Sequence, residues 1–220
     1  LGNEVLDALP VHLLAWRTDD IAEVGVVRAG DGFAWAERAT ASPPLAALAR
    51  SLPDLPAGYR SEVNLAAPAL VRALGACLAR GVIFFIDYGF PRAEYYHPQR
   101  SGGTLMCHYR HRAHADPFFL PGLQDITAHV DFSTLAEAAE AAGLDVLGYA
   151  GQAAFLIDCD LLELLRTEAA GSVDYLREVG ALQKLIHPSE MGELFKVIAL
   201  GRGVEAPLIG FRRADRRHTL

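Results

Sequence analysis

Along the chain, the clearest strand signal is Val82-Ile83-Phe84-Phe85-Ile86, five apolar residues without alternation. Such a run buries both faces, as in a parallel strand held between helix layers. It ends at Asp87-Tyr88-Gly89. Before it, residues 66–79 line up Leu70, Leu74, Cys77 and Leu78 on one helical stripe. Pro68 near the start costs this helix little, and Gly81 stops it. Helix, short turn and buried strand make the second half of a βαβ unit, which predicts an α/β fold.

The flanking segments are read in the same way. Leu1 to Glu4 predicts a strand end, and Val5 to Pro10 a short helix. Glu23–Val27 and Phe33–Glu37 surround a Gly/Asp turn and predict a hairpin insertion over 22–38. Four prolines make 40–58 irregular, with one helical turn over Leu45–Arg50. Residues 90–131 lack periodicity and are rich in polar and aromatic side chains, the signature of a functional loop region. An Ala-rich helix follows over 133–142, capped by Ser133 or Thr134 with Glu137 reciprocating. Leu144–Gly148 predicts a strand, 152–185 a largely helical stretch, and Leu194–Leu200 the last strand. The Arg-rich tail from Gly201 is expected to fray.

Composition adds exclusions. With 220 residues, 51% of them apolar and a net charge of −7, the chain has material for a sizeable core. The acidic balance excludes a nucleic-acid binder that works by neutralising phosphates. No apolar run is long enough to span a membrane. Cys77, Cys107 and Cys159 lie far apart without a Cys-x-x-Cys, which suits a reducing compartment. Only Lys184 and Lys196 are lysines among 20 basic residues, and the first residue is Leu1 rather than Met.

Three places carry candidate chemistry. Ligands of open α/β sheets bind at the carboxyl ends of strands, where Asp87 is expected. A buried carboxylate needs a partner or a ligand, so Asp87 either caps a turn or, with Glu4 on a neighbouring strand, converges on a cationic ligand. His129 and Asp131 flank Val130; in an extended chain Asp131 orients the His129 ring as a base, or the two form a plain loop pair. His108, His111 and His114 invite a metal, but their spacing and the lack of a second ligand motif favour a polar binding loop with Arg110 and Arg112, or a solvated one. No Gly-x-Ser-x-Gly elbow and no glycine-rich phosphate loop is present.

An ordered set of short segments resembles the MidA-like family of S-adenosylmethionine-dependent methyltransferases, whose mitochondrial members are complex I assembly factors that methylate arginine. The segments are Asn3-Glu4 with Asp7-Ala8-Leu9-Pro10, Ile86-Asp87-Tyr88-Gly89, Gly103-Thr104-Leu105, and His108-Tyr109-Arg110-His111-Arg112. Asp116-Pro117, Pro121-Gly122, Asp125 to Phe132, His187 to Gly192 and Phe195-Lys196-Val197 follow in family order. The resemblance implies a class I, Rossmann-like α/β fold: a mostly parallel sheet with one antiparallel strand near its edge. Asn3-Glu4 would end the fourth strand and Val82–Ile86 would be the fifth. Leu144–Gly148 and Leu194–Leu200 would be the last two.

The family's glycine-rich turn lies upstream of the Asn-Glu segment. Residues 1–203 are therefore expected to be the C-terminal part of a longer methyltransferase domain, with 204–220 as a tail. The implied cofactor is S-adenosylmethionine, contacted here by Asn3, Glu4 and Asp7. Glu4, Asp87 and His129 are the expected catalytic residues. Asp87, Tyr88, Arg110, His111 and Asp131 are the expected substrate contacts. A protein arginine is the implied acceptor, in the cytoplasm of a bacterium or in mitochondria if eukaryotic, with no nucleic-acid or membrane partner. A small-molecule methyltransferase and a non-catalytic assembly protein are the competing classes.

Overall fold

The computed structural model describes residues 1–40, 42–164 and 172–220. In chain order the elements begin with β1 (Gly2–Asn3), β2 (His12–Trp16), β3 (Ile21–Ala29), β4 (Gly32–Ala39), α1 (Pro43–Ser51), β5 (Arg60–Val63) and α2 (Ala66–Cys77). Next come β6 (Gly81–Phe90), α3 (Arg92–Tyr95), β7 (Met106–Tyr109), β8 (Arg112–His114), β9 (Asp125–Thr127) and β10 (Val130–Asp131). The last are α4 (Phe132–Ala141), β11 (Asp145–Gly151), α5 (Gln152–Asp158), α6 (Leu161–Leu164), α7 (Val173–Ile186) and β12 (Phe195–Arg202).

The central sheet runs β1-β6-β12-β11, with β10 added beside the far end of β6. Both β1 and β10 are parallel to β6, whereas β12 is antiparallel to β6 on one side and to β11 on the other. The described sheet is therefore mixed rather than mostly parallel: one reversed strand between two others creates two antiparallel ladders. The non-alternating run of β6 has a simple cause. Ile83 and Phe85 pack into one core with Leu6, Val71 of α2 and Leu135 of α4. Val82, Phe84 and Ile86 pack into another with Val197, Ala199 and Phe211. Successive side chains of a strand point to opposite faces, and here both faces are covered.

Two smaller antiparallel sheets complete the fold, a four-stranded one in the order β4-β3-β2-β5 and a three-stranded one in the order β8-β7-β9. The first contains the expected hairpin as β3–β4. Its strands β2 and β5 were not apparent from the sequence, and they close a third core of Leu14, Trp16, Leu45, Tyr59, Tyr95 and Tyr96. The second gives the segment 106–127, expected to be irregular, a pleated frame of its own.

Four further local expectations are corrected. Val5–Pro10 forms turns rather than a helix. β6 continues to Phe90, because β12 and β10 keep its ladder paired beyond Ile86. The cap of α4 is Asp131, whose Oδ1 accepts the Ser133 and Thr134 amides at 3.0 and 3.2 Å. Glu137 is occupied by Arg92 instead.

The tail is docked rather than frayed. Phe211 packs against Phe155 with the rings tilted by 59° and centroids 5.1 Å apart, and Arg216 N donates to the Tyr149 carbonyl of β11 at 2.6 Å. Of the expected helical stretch 152–185, residues 165–171 lie outside those described.

Candidate active site

The ladder puts the end of β1 beside β6: Asn3 pairs with Ile86, and the Glu4 amide donates to the Ile86 carbonyl at 2.9 Å. Glu4 then turns out of the sheet with φ 49°, a left-handed conformation that costs a non-glycine residue about 1–3 kcal/mol. Asn3 and Glu4 are both exposed, and Asn3 Nδ2 donates to Glu4 Oε1 at 3.3 Å.

Asp87 stands at the same level but in a different environment. It is 1% exposed, and its carboxylate is fully used by the backbone. Oδ2 accepts the Leu6 and Asp7 amides at 2.9 and 3.3 Å, and Oδ1 accepts the Tyr88 amide at 3.0 Å. The structure thus does not bring Glu4 and Asp87 together on one ligand; Asp87 holds the 5–7 turn in place. Burial, and next the charge of Asp7, push the Asp87 carboxyl up to about 7.

Asp7 is itself turned inward, 4% exposed, and Tyr88 donates its hydroxyl to Asp7 Oδ2. The second oxygen, Asp7 Oδ1, is buried with no hydrogen-bond partner. Burial, together with the Asp7 hydrogen bond, pushes the Tyr88 phenol well above its ordinary range.

His129 lies against this group. Its ring stacks on Phe90 at 5.4 Å with an interplanar angle of 2°, and meets Tyr88 edge-on at 5.1 Å. Its backbone amide donates to Thr104 Oγ1 at 3.1 Å. Thr104 in turn binds the buried Glu62 carboxylate through its amide and hydroxyl, at 2.8 and 2.9 Å. Nδ1 of His129 is buried without a partner. Asp131 is spent on capping α4 and on Arg92, 3.6 Å away, so it does not orient the His129 ring. Burial, then the charges of Arg100 and Lys196, hold the imidazole down to about 4, and it is neutral at physiological pH.

Arg110 and His111 form the exposed β7–β8 turn with φ 49° and 63°. A cavity of about 820 Å³ is lined there by Tyr109, Arg110, Arg112, His114 and Phe119 among others. No described contact links this turn to Asp87 or His129. Among the described residues no group of three or more His, Cys, Asp or Glu is placed to hold a metal.

Sequence reasoning missed Phe90, Arg100, Glu62 and any role for Lys196. A signal for Lys196 was available: it is a lysine inside the buried run of β12, 6% exposed. It sits opposite Asp87 in the ladder, yet its ammonium reaches the Glu193 carbonyl and the Phe90 ring instead. Close approach also matters at Gly89, where a Cβ would run into the Val130 carbonyl next to His129.

Comparison with known proteins sharpens the picture. The family described as "Putative S-adenosyl-L-methionine-dependent methyltransferase" matches residues 1–150. The chain is 30% identical over 231 residues to a protein of Drosophila melanogaster named "Protein arginine methyltransferase NDUFAF7 homolog, mitochondrial", covering 96% of this chain and 50% of that one. It is also 30% identical to the mouse protein arginine methyltransferase NDUFAF7, covering 91% and 45%. A crystal structure from Burkholderia thailandensis, of a "likely methyl transferase" bound to S-adenosyl-homocysteine, superposes with a TM-score of 0.94 at 52% identity. That match covers all of this chain and 57% of the other.

The chain thus spans about half the length of the curated relatives it matches. The strands that the resemblance implied to be the fourth and fifth, β1 and β6, are paired neighbours, and the two implied to be last, β11 and β12, pair with each other. Fold and matches agree, and the chain belongs to the MidA-like family of S-adenosylmethionine-dependent methyltransferases.

Proposed function

We propose that this protein transfers a methyl group from S-adenosylmethionine to the side chain of a protein arginine, and that the described segment supplies the acceptor side of the site. The observation that carries this reading is the grouping at the strand ends. Exposed Asn3 and Glu4 close β1, and Asp7, three residues on, accepts the Ala128 amide and the Tyr88 hydroxyl next to a neutral His129 whose buried Nδ1 lacks a partner. The Drosophila and mouse relatives, named as protein arginine methyltransferases, favour arginine over a small molecule.

The residues present fit the cofactor on one flank. Asn3 and Glu4 offer an exposed amide and carboxylate at a strand terminus, the usual place for a ligand of an open α/β sheet. Asp7 faces inward and acts through Tyr88. The cofactor, when bound, supplies an electrophilic methyl group. The work left to the protein is to orient the acceptor nitrogen and receive its proton. Glu4 is the carboxylate free to face a guanidinium. Asp87 is a positioning residue: by tying down the Leu6 and Asp7 amides it fixes where Glu4 leaves the sheet. His129 Nδ1 receives the proton. Tyr88 and Phe90 fix its ring, and the hydroxyl of Thr104 fixes its backbone.

The test uses protein expressed from its complete reading frame, with methyl-tritiated S-adenosylmethionine and an arginine-bearing peptide library. Methylarginine in the hydrolysate, reduced by about 10²-fold or more in His129→Ala, supports the reading. Labelled small molecules without methylarginine would transfer it to the small-molecule class.

A further inference from the structure

Phe90 ends β6, and cations gather on its ring. The Arg100 guanidinium carbon lies 4.0 Å from the ring centroid and Lys196 Nζ lies 5.7 Å from it. Phe90 also carries the parallel His129 ring. Arg100 is lightly held. Of its five N–H donors, one has a described partner, Nε to the Glu94 carbonyl at 3.2 Å, and no ion pair to Arg100 occurs among the described residues. The Glu94 carboxylate is exposed and likewise forms no described ion pair, while its charge is felt at Lys196. A guanidinium carbon lying over an aromatic face, with the Glu94 main-chain carbonyl as its acceptor, has the elements that recognise an arginine side chain.

We propose that the Phe90 ring and Glu94 form a guanidinium subsite, that Arg100 occupies it as an internal stand-in, and that the acceptor arginine displaces Arg100 on binding. The inference rests on arginine being the acceptor. It adds where the acceptor stacks and what must leave first. The subsite selects arginine over lysine, because stacking uses a flat delocalised cation. A compact, strongly hydrated ammonium placed beside Lys196 gains little there.

Binding of the peptides Gly-Arg-Gly and Gly-Lys-Gly, measured by calorimetry on protein from the complete reading frame, tests this without requiring turnover. Arg100→Ala is expected to bind Gly-Arg-Gly several-fold more tightly than wild type and to leave Gly-Lys-Gly unchanged. Adding Phe90→Leu to Arg100→Ala should remove the gain. Equal binding of Gly-Arg-Gly by wild type and Arg100→Ala, or a gain that survives Phe90→Leu, would mean that Arg100 is only a packing contact and would overturn the proposal.

If Arg100→Ala does not fold, Arg100→Lys keeps the charge and removes the planar stack. The same direction of change is expected, and unchanged binding overturns the proposal. Methyl-transfer assays separate this from the broader reading. Transfer to arginine with an unaltered KM in Phe90→Leu would sink the subsite and leave the activity standing. Transfer to a different acceptor class would sink the activity whatever the peptides do.

Discussion

Asp87 Oδ2 accepts the Leu6 amide at 2.9 Å across 81 positions of sequence. Leu6 is a core residue, 1% exposed, and the same oxygen takes the Asp7 amide, so one carboxylate anchors the whole turn after β1. A residue expected to be a substrate clamp thus holds a turn of the backbone.

Removing that anchor has a defined cost. Asp87→Ala leaves the amides of Leu6, Asp7 and Tyr88 without their acceptor in a buried setting. Orphaned buried donors cost about 1–3 kcal/mol each, so urea unfolding should show a loss of about 3 kcal/mol or more. Asp87→Asn, which keeps one acceptor oxygen, should lose less.

The same carboxyl gives stability a pH dependence. Because its folded value is raised to about 7, the native state holds the proton more tightly than the unfolded chain does. This contribution is fully present below the ordinary carboxyl range and is lost as pH rises toward 7. Its size is at most about 4 kcal/mol, at 1.36 kcal/mol per unit. Denaturant midpoints of wild type between pH 4 and 7 should fall relative to those of Asp87→Asn, and parallel curves would contradict the assignment.

His129 behaves with the opposite sign. Its folded value, lowered to about 4, means that the unfolded chain binds the proton more readily between about 4 and the ordinary 6.5. Acidification through that window therefore destabilises the protein. NMR titration should show the ring neutral down to about pH 5. The acid limb of the methyl-transfer rate should lie well below the usual histidine range, and should vanish in His129→Gln together with most of the activity. A ring titrating near 6.5 would remove the basis for a neutral acceptor.

Gly89 couples β6 to the segment that carries His129. An alanine there would collide with the Val130 carbonyl and amide, and Val130 pairs with Gly89 in the β6–β10 ladder. Gly89→Ala should displace His129 from Phe90 and cost about 1–3 kcal/mol through overpacking, lowering turnover along with Tm. Undisturbed turnover would show that the placement of β10 does not govern the base.

What was legible in the sequence follows from what is local. The five apolar residues of β6, the helix α2 and the turn of the β3–β4 hairpin all encode their structure within a few positions, although Cys77 of the expected α2 stripe is exposed and Ala67, Val71 and Gly75 are among the residues that helix buries. The pairing of β1 with β6 was also implied, by the ordered motifs of the resemblance. Asp87 was misjudged because its partners, the amides of Leu6 and Asp7, are backbone groups 80 or so positions away that no side-chain pattern announces. The His129–Asp131 pair failed because Asp131 found better partners in the free amides that start α4. Strands β2 and β5 escaped notice because each is short, and their shared core with Tyr59, Tyr95 and Tyr96 assembles only in three dimensions.

Glu4 offers a way to separate stability from chemistry. Its left-handed backbone at φ 49° is a conformation glycine adopts freely, while its carboxylate is exposed at the end of β1. Glu4→Gly should relieve strain and raise stability by about 0.5–1 kcal/mol after the entropic cost of glycine. It should also abolish methyl transfer. Glu4→Gln, which keeps the shape and the strain, should leave Tm unchanged and lower transfer by about 10²–10³-fold through loss of the charge facing the acceptor. Thermal melts paired with single-turnover assays distinguish the two effects. If Glu4→Gln retained wild-type turnover, the carboxylate would have no part in the chemistry, and its unusual backbone would reflect only the turn that Asp87 holds.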